Sequence, residues 1–352
     1  MNDYPRRKLA IVGAGVSGLA AAWALRDADW HVTVFEKSRG VSGRAASRSG
    51  NDARYDHGAN YFKTDSPELE QLILRELPTE GLIDIAGDVW IFDQYGTIAP
   101  GDSKQNAEPK WNYRQGISTL GKNLFEQSGA QLMRESRVES LVSGDDGEWE
   151  LFKDDGNSLG VFDAVLLTPP APQVMDLLRI SELPDEQVCE DMRGMLDDAK
   201  YHSQFSLVLG FHAKLPRPEG CYAMINEDRE HAISWLSFED AKPGRVPEGE
   251  TVVIAQMSPA WTAEHYDADL NTLQALATEA IEGLLELTGL RAAWFDSQRW
   301  KYAHPYASTD FDDIHEIAPE GLFFAGDSFV GKGRVGASIE TGLWAAERIL
   351  EM

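Results

Sequence analysis

A glycine turn set between an apolar strand and an alanine-rich helix restricts this chain more than any other feature. Lys8 to Val12 reads as a short buried strand, Gly13-Ala14-Gly15-Val16-Ser17-Gly18 as the turn, and Leu19 to Leu25 as a buried helix. Trp30 to Phe35 (WHVTVF) is β-branched and alternating, so it reads as a second strand. The whole has the length of a βαβ unit, about thirty residues. In such a unit the first glycine permits the tight turn and the second lets backbone approach a diphosphate. The third lets helix pack on strand, and the helix N-terminus supplies partial positive charge. Glu36 ends the second strand, where a carboxylate can accept both ribose hydroxyls of an adenosine and would repel a 2′-phosphate. The unit is expected to hold FAD or NAD rather than NADP.

Three later stretches bear on that choice. Glu36-Lys37-Ser38-Arg39-Gly40-Val41-Ser42-Gly43-Arg44 is a glycine-containing loop in which Arg44 can make charge-assisted bonds to a diphosphate. Asp56-His57-Gly58-Ala59-Asn60-Tyr61-Phe62 is a turn whose Gly58 and Ala59 are small enough for close approach to a flat ring; His57 reads as a loop histidine supporting local structure. Phe323 to Asp327 is a strand ending in Gly326-Asp327, where Asp327 is placed to hold a ribityl hydroxyl. Gly331 to Gly336 then leads into a helix from Ala337 whose amide end would face a reduced, anionic flavin.

Between these stretches the pattern changes. Pro67 to Leu77 and Gly116 to Ser128 read as helical, while Gln131 to Val142, Glu148 to Phe152 and Val161 to Leu167 read as strands. Further strands are expected at Phe205 to Phe211, Ile233 to Ser237 and Thr251 to Met257, and a long amphipathic helix at Asn271 to Leu287. No repeat or low-complexity linker appears. The expected fold is α/β in two domains: a discontinuous nucleotide-binding domain (1–65, 116–175, 290–352) and an α+β substrate domain with a mixed or antiparallel sheet (66–115, 176–289).

Bulk properties exclude several classes. No apolar run of 18 or more residues exists, so no membrane span is expected. Arg6-Arg7 is followed by too short an apolar run for a twin-arginine export signal. Cys189 and Cys221 form no CxxC pair, so neither a disulfide framework nor a metal site is expected, and a cytoplasmic location fits. The net charge of −26, from 58 acidic and 32 basic residues, disfavours nucleic acid and anionic membranes as partners. Two readings are open, an acidic partner-binding region and a solvated surface adapted to high salt; the acids are scattered and not in blocks, which favours the second.

The stretches IVGAGVSGLAAAWAL, FEKSRGVSGRAAS, DHGANYF, VLLTPPAPQ, ISWLSFEDAKPGR, QMSPAWT, RWKYAHP and AGDSFVGKGRVGASIETG together resemble the renalase family of the FAD-dependent amine-oxidase-like superfamily. The resemblance implies non-covalent FAD in a para-hydroxybenzoate-hydroxylase-like fold. Carried over by position, Gly13, Gly15, Ser17 and Gly18 would hold the diphosphate and Glu36 the ribose, with Val16 and Lys37 also among the cofactor-binding residues. Gly43, Arg44, Gly58, Ala59, Asn60, Tyr61 and Thr168 would line the cofactor. Val138 would contact the adenine through the backbone of a strand Arg137-Val138-Glu139, and Gly326, Asp327, Val335, Gly336 and Ala337 would sit by the ribityl chain and ring. Two positions depart from the pattern. Ser42 replaces a glycine, with a hydroxyl able to donate a bond, and Asn60 replaces a glutamine.

Renalase-like enzymes resemble oxidases of 2- and 6-dihydro isomers of NAD(P)H, passing a hydride to flavin N5 and then electrons to dioxygen, which becomes hydrogen peroxide. Such chemistry needs positioning and exclusion of water more than acid–base help, and the sequence offers no compelling nucleophile, metal cluster or acid–base pair. Tyr61, Trp235, Trp300 and Tyr302 are candidates to cage an amine or stack a pyridine, and are equally plausible as core packing. Arg299 and His304 are candidates to orient a carboxamide or phosphate. Three readings stay open: a renalase-like oxidase, another amine-oxidase-superfamily enzyme, and a non-catalytic flavin- or dinucleotide-binding protein.

Overall fold

The computed structural model describes residues 6–331 and 333–352. Lys332, inside the glycine-rich turn that precedes the last helix, lies outside the described residues.

The expected βαβ unit forms from the strand Arg7–Val12, the helix Val16–Ala24 and the strand Trp30–Phe35. The two strands pair in parallel from Arg7↔Trp30 to Val12↔Phe35, at the centre of a five-stranded sheet. Its strand order is Leu322–Phe324, Ala164–Leu167, Arg7–Val12, Trp30–Phe35, Gln131–Met133, with every pair parallel. Although WHVTVF alternates chemically, only His31 is exposed, because both faces of a parallel sheet are covered. Ala20, Ala21 and Ala22 are wholly buried, and their small side chains let the final helix Val335–Glu351 pack closely on Val16–Ala24. A Cβ on Gly342 would lie 2.0 Å from the carbonyl oxygen of Ser17, so that crossing requires glycine.

A seven-stranded mixed sheet forms the second unit, in the order Trp294–Pro305, Tyr201–Phe211, Thr251–Met257, Ile233–Phe238, Cys221–Asn226, Asp88–Phe92, Ile98–Ala99. The helix Leu270–Leu284 packs its Leu273, Ala277, Ile281 and Leu284 into the same core as this sheet. Several segments side with the other sheet from the one expected at boundaries 66, 176 and 290. Leu69, Leu72, Ile73 and Leu77 share a core with the glycine-turn helix. Leu177, Leu178, Cys189, Met192 and Leu196 pack with the parallel strands. Trp294–Pro305 pairs antiparallel with Tyr201–Phe211 and edges the larger sheet.

Two expected strands are broken. Gln131–Met133 ends at a turn in which Glu135 adopts a positive φ of 51°, and pairing resumes only at Ser140–Ser143. Val138 is therefore in irregular chain, not a strand. The run Val161 to Leu167 divides at Asp163, giving Ser158–Phe162 in a three-stranded antiparallel sheet and Ala164–Leu167 in the parallel one. The helix Pro67–Gln71 continues into a wider π turn, Leu72–Glu76, closed by Leu77 N–H donating to Leu72 O.

Candidate active site

Two loops cross above the parallel sheet, and their contacts explain the glycines. Gly13 has a φ of +104°, and a Cβ there would meet Thr168 Oγ1 at 2.6 Å. Thr168 Oγ1 donates to Val12 O at 2.8 Å and so pins the turn. A Cβ on Gly18 would lie 2.4 Å from Gly13 O, and one on Gly43 would lie 3.1 Å from Gly15 Cα. At Gly15 itself, a Cβ would meet no atom within 4 Å. Its smallness thus answers to nothing among the described residues and suits backbone approach by a ligand.

The helix Val16–Ala24 starts at Gly15 with no side-chain cap and no acid in its first turn. Val335–Glu351 starts at Arg334 in the same way. The helices beginning at Pro67, Ser103, Glu186, Pro259, Leu270 and Phe311 carry Ser or Asp caps, and those beginning at Ser118 and Ala171, which lack one, donate their first N–H to Ser47 Oγ and Ser328 Oγ. Val16, Ser17, Val335, Gly336 and Ala337 therefore surround two helix ends whose first amides are left to a ligand or water. Beside the first end, the buried Glu36 accepts from Ala14 N–H at 2.9 Å and from Ser38 N–H at 2.8 Å. A carboxylate fixed against the glycine turn, an uncapped helix start and open space at Gly15 fit the adenosine diphosphate half of a flavin dinucleotide.

Arg44 reaches the second sheet. Its Nη2 donates to Asp327 Oδ1 at 2.7 Å, and its Nη1 donates to the carbonyls of Tyr302 and Ala303, both at 3.1 Å. Those carbonyls are free because the register between Tyr201–Phe211 and Trp294–Pro305 slips between His202 and Gln204, opposite Trp300 to His304. Burial pulls the Arg44 pKa down, but the adjacent Asp327 outweighs it and holds the guanidinium charged. Gly326 has a φ of +132°, and its N–H donates to Thr341 Oγ1, which fixes the approach to Asp327.

The loop after Asp56 is held by a cluster absent from the candidate residues. Asp56, Glu239, Lys242 and Arg245 all have fully buried side chains. Asp56 Oδ2 accepts from Lys242 Nζ at 2.8 Å, Arg245 Nη2 at 3.0 Å and Asn112 Nδ2 at 2.9 Å; its Oδ1 accepts from Ser47 Oγ and Ile117 N–H. Burial pushes Asp56 up, yet the two cations hold it well below the usual carboxylate range. Glu239, with fewer donors, is pushed up by burial. The stretch Lys242-Pro243-Gly244-Arg245 thus welds the larger sheet to the Asp56 loop. Above it, a Cβ on Gly58 would sit 1.9 Å from Arg44 O, and Ala59 N–H donates to that same oxygen at 3.0 Å. Gln256 Nε2 holds Gly58 O, while Ser237 Oγ donates to Asn60 Oδ1 at 2.7 Å.

The substrate candidates do not form one cage among the described residues. Tyr61 and Trp235 pack with ring centroids 6.1 Å apart and planes tilted by 41°. Trp300 packs edge-on against His57 and donates from Nε1 to His57 O at 3.0 Å. Tyr302 packs against Tyr201 and His304 against His202. Burial lowers the His304 pKa and that of His57, the latter to about 4, so His57 is neutral near pH 7. Two polar atoms in these groups are buried without a partner among the described residues, His57 Nδ1 and Trp235 Nε1.

Four of the expected residues are placed as follows. Arg299 points away, donating to Tyr266 O and lying over the Tyr266 ring with its side chain 48% exposed, because alternation along the edge strand turns it outward. Lys37 is exposed and donates to Gln173. Val138 is buried in irregular chain and packs with Val12 and Phe35 in one core. Ser42 takes a φ of +86°, and its hydroxyl, packed where Gly121 leaves room, has no partner. Ser42 therefore carries backbone strain of about 1–3 kcal/mol without a compensating side-chain bond. The residues that spacing did not flag are Tyr201, Ser237, Gln256 and the buried charges. Only the last had a local signal, the KPGR stretch.

Residues 11–77 match the family described as NAD(P)-binding Rossmann-like domain, and residues 82–350 match flavin containing amine oxidoreductase. The chain is similar to Renalase of Mus musculus, 26% identical over 293 residues that cover 79% of this chain and 80% of that protein. Over 67 residues, 19% of this chain and 13% of the relative, it is 43% identical to Protoporphyrinogen oxidase 2, chloroplastic/mitochondrial, of Arabidopsis thaliana. Putrescine oxidase bound to putrescine superposes with a TM-score of 0.74 at 14% identity, covering 98% of this chain and 99% of the other. Cyclohexylamine oxidase from Brevibacterium oxydans IH-35A also gives 0.74, at 13% identity and 99% of both chains. These structures share the fold. No helix among the described residues is long and apolar enough to cross a membrane, and no group of three His, Cys, Asp or Glu side chains among them is placed to hold a metal ion. The chain belongs to the flavin containing amine oxidoreductase family, as a renalase-like flavin-dependent oxidoreductase.

Proposed function

We propose that this protein binds FAD non-covalently and oxidises a small dihydropyridine, a 2- or 6-dihydro isomer of NAD(P)H. When bound, the flavin supplies a hydride acceptor at N5 and passes the electrons to dioxygen, giving hydrogen peroxide. In this reading the parallel-sheet unit holds FAD and the larger sheet covers the substrate. Gly13, Gly15 and Gly18 give the diphosphate its backbone donors, Glu36 holds the ribose, and Arg44 with Asp327 fixes the ribityl–diphosphate segment. Gly58, Ala59 and Asn60 line the ring. A cytoplasmic location accords with two free thiols.

The observation that carries the substrate assignment is the half-buried Tyr61–Trp235 pair. Either ring offers a face on which a flat pyridine can stack. Hydride loss from a dihydropyridine yields an aromatic ring with no further proton to remove, so no general base is needed. His57, neutral and without a partner at Nδ1, is consistent with positioning and not with proton transfer near neutral pH.

The test is anaerobic stopped-flow absorbance of the yellow holoprotein against pyridine-nucleotide isomers and amines. Bleaching by 2- or 6-dihydro-NAD supports the proposal. Bleaching by amines alone replaces it with amine oxidation. No bleaching by either class favours a non-catalytic flavin-binding role.

A further inference from the structure

Among the described residues Asp327 receives two hydrogen bonds, and both land on Oδ1: from Arg44 Nη2 at 2.7 Å and from the Tyr201 hydroxyl at 2.8 Å. The Tyr201 oxygen also lies 2.9 Å from Ser328 Oγ, which accepts from Ala171 N–H at 3.2 Å. A phenol has one proton to give. With that proton donated in a hydrogen bond to the Asp327 carboxylate, the Tyr201 oxygen can only accept from Ser328. The relay thus runs one way: Ala171 N–H to Ser328, Ser328 O–H to Tyr201, Tyr201 O–H to Asp327. Burial, and then the Asp327 charge, push the phenol pKa up, so the donor stays protonated.

The relay begins beside the parallel sheet and passes through the larger one. Tyr201 opens the strand Tyr201–Phe211, and Arg44 is held by carbonyls of the neighbouring strand, at the register slip. One corner of the larger sheet therefore grips both members of the Arg44–Asp327 pair. Asp327 is almost fully buried, and no hydrogen bond from the described residues reaches its Oδ2.

We propose that Tyr201 is a positioning residue for the cofactor: with Arg44 it occupies Oδ1 of Asp327, so that Oδ2 is presented to a ribityl hydroxyl. This rests on FAD being the bound flavin. In Tyr201→Phe the ring remains, Asp327 loses a donor, and Ser328 loses its acceptor. Ser328→Ala removes the bond behind Tyr201 and leaves the ring untouched.

The test uses purified holoprotein and follows flavin fluorescence on dilution, with ADP as a competitor. ADP carries the adenosine diphosphate half of FAD and lacks the ribityl chain. In Tyr201→Phe, FAD release should be about tenfold faster, the order expected for one bond to a charged group, and the ADP concentration that displaces half the FAD should fall by about the same factor. Ser328→Ala should move both in the same direction by a smaller factor. A loss of general fold stability would weaken FAD and ADP together and leave their ratio unchanged; that result, or wild-type release in both variants, overturns the proposal. A wild-type protein that takes up no FAD overturns the cofactor reading itself, which separates the two failures.

Discussion

Arg245→Met probes the weld between the larger sheet and the Asp56 loop. Arg245 Nη2 reaches Asp56 at 3.0 Å, Asn112 Oδ1 at 3.0 Å and Tyr113 O at 2.9 Å, and Nη1 reaches Glu239 at 3.4 Å. In the intact cluster two cations face two carboxylates. Without Arg245, Lys242 alone faces both. Removing one partner of a buried pair costs about 3–5 kcal/mol. Glu239 is already pushed up by burial and can take a proton, so the lower figure applies. At about 2.1 cal/mol/K per residue, 352 residues give an unfolding entropy of about 0.74 kcal/mol/K if the chain unfolds as one unit. The midpoint should then fall by about 4 °C per 3 kcal/mol. Calorimetry at pH 7 of the wild type, Arg245→Met, Asp56→Asn and the double variant measures this. The double should be destabilised by less than the sum of the singles, by about 1 kcal/mol or more. The pH dependence has a fixed sign. Asp56 is depressed in the folded state, so its contribution is full above the ordinary carboxylate pKa of about 4 and is lost as pH falls through the depressed value. Loss of one cation should move that acid limb to higher pH. A midpoint within about 1 °C of wild type, or strictly additive singles, refutes the reasoning.

Gly15→Ala separates the needs of the ligand from those of the fold. A Cβ there meets no protein atom and the backbone φ is −74°, so stability should change by less than about 0.5 kcal/mol, while FAD affinity falls by about tenfold or more; equilibrium dialysis showing unchanged affinity would remove the glycine turn from the binding site. Burial holds both His57 and His315 neutral down to about pH 4, and His315 Nε2 accepts from Phe324 N–H only in that form. The unfolded chain takes up these protons first, so the urea midpoint should fall as pH drops from about 6.5 towards 4; a flat midpoint across that window contradicts it. With a net charge of −26, screening should raise the unfolding midpoint as KCl approaches molar levels, and a midpoint that falls or stays flat rejects high-salt adaptation.

What the sequence disclosed and what it hid follow from one physical distinction. Where backbone geometry restricts residue type, a single chain suffices. Gly13 at φ +104° beneath Thr168, Gly58 against Arg44 O and Gly342 against Ser17 O each exclude any side chain, and such positions made the glycine turn, the Asp56 loop and the final helix visible. The parallel strands were visible for a related reason, since cover on both faces leaves little room for polar residues. Pairing across the sequence leaves no such mark. Tyr201 is 126 residues from Asp327, and Lys242 is 186 from Asp56. A tyrosine at a strand start and a lysine before a proline look the same whether they bond a buried carboxylate or water. Arg299 shows the converse error: its neighbours Trp300 and Tyr302 pack towards the loop and the Arg44–Asp327 pair, and one step of strand alternation sends it outward onto Tyr266. Ser42 is the case where a local rule was broken, a non-glycine at φ +86° with an unpaired hydroxyl. Its backbone N–H still donates to Ala14 O at 2.7 Å. The contact between the glycine turn and the Arg44 loop is therefore made by main chain, and main chain can bear a strained residue without changing which atoms meet.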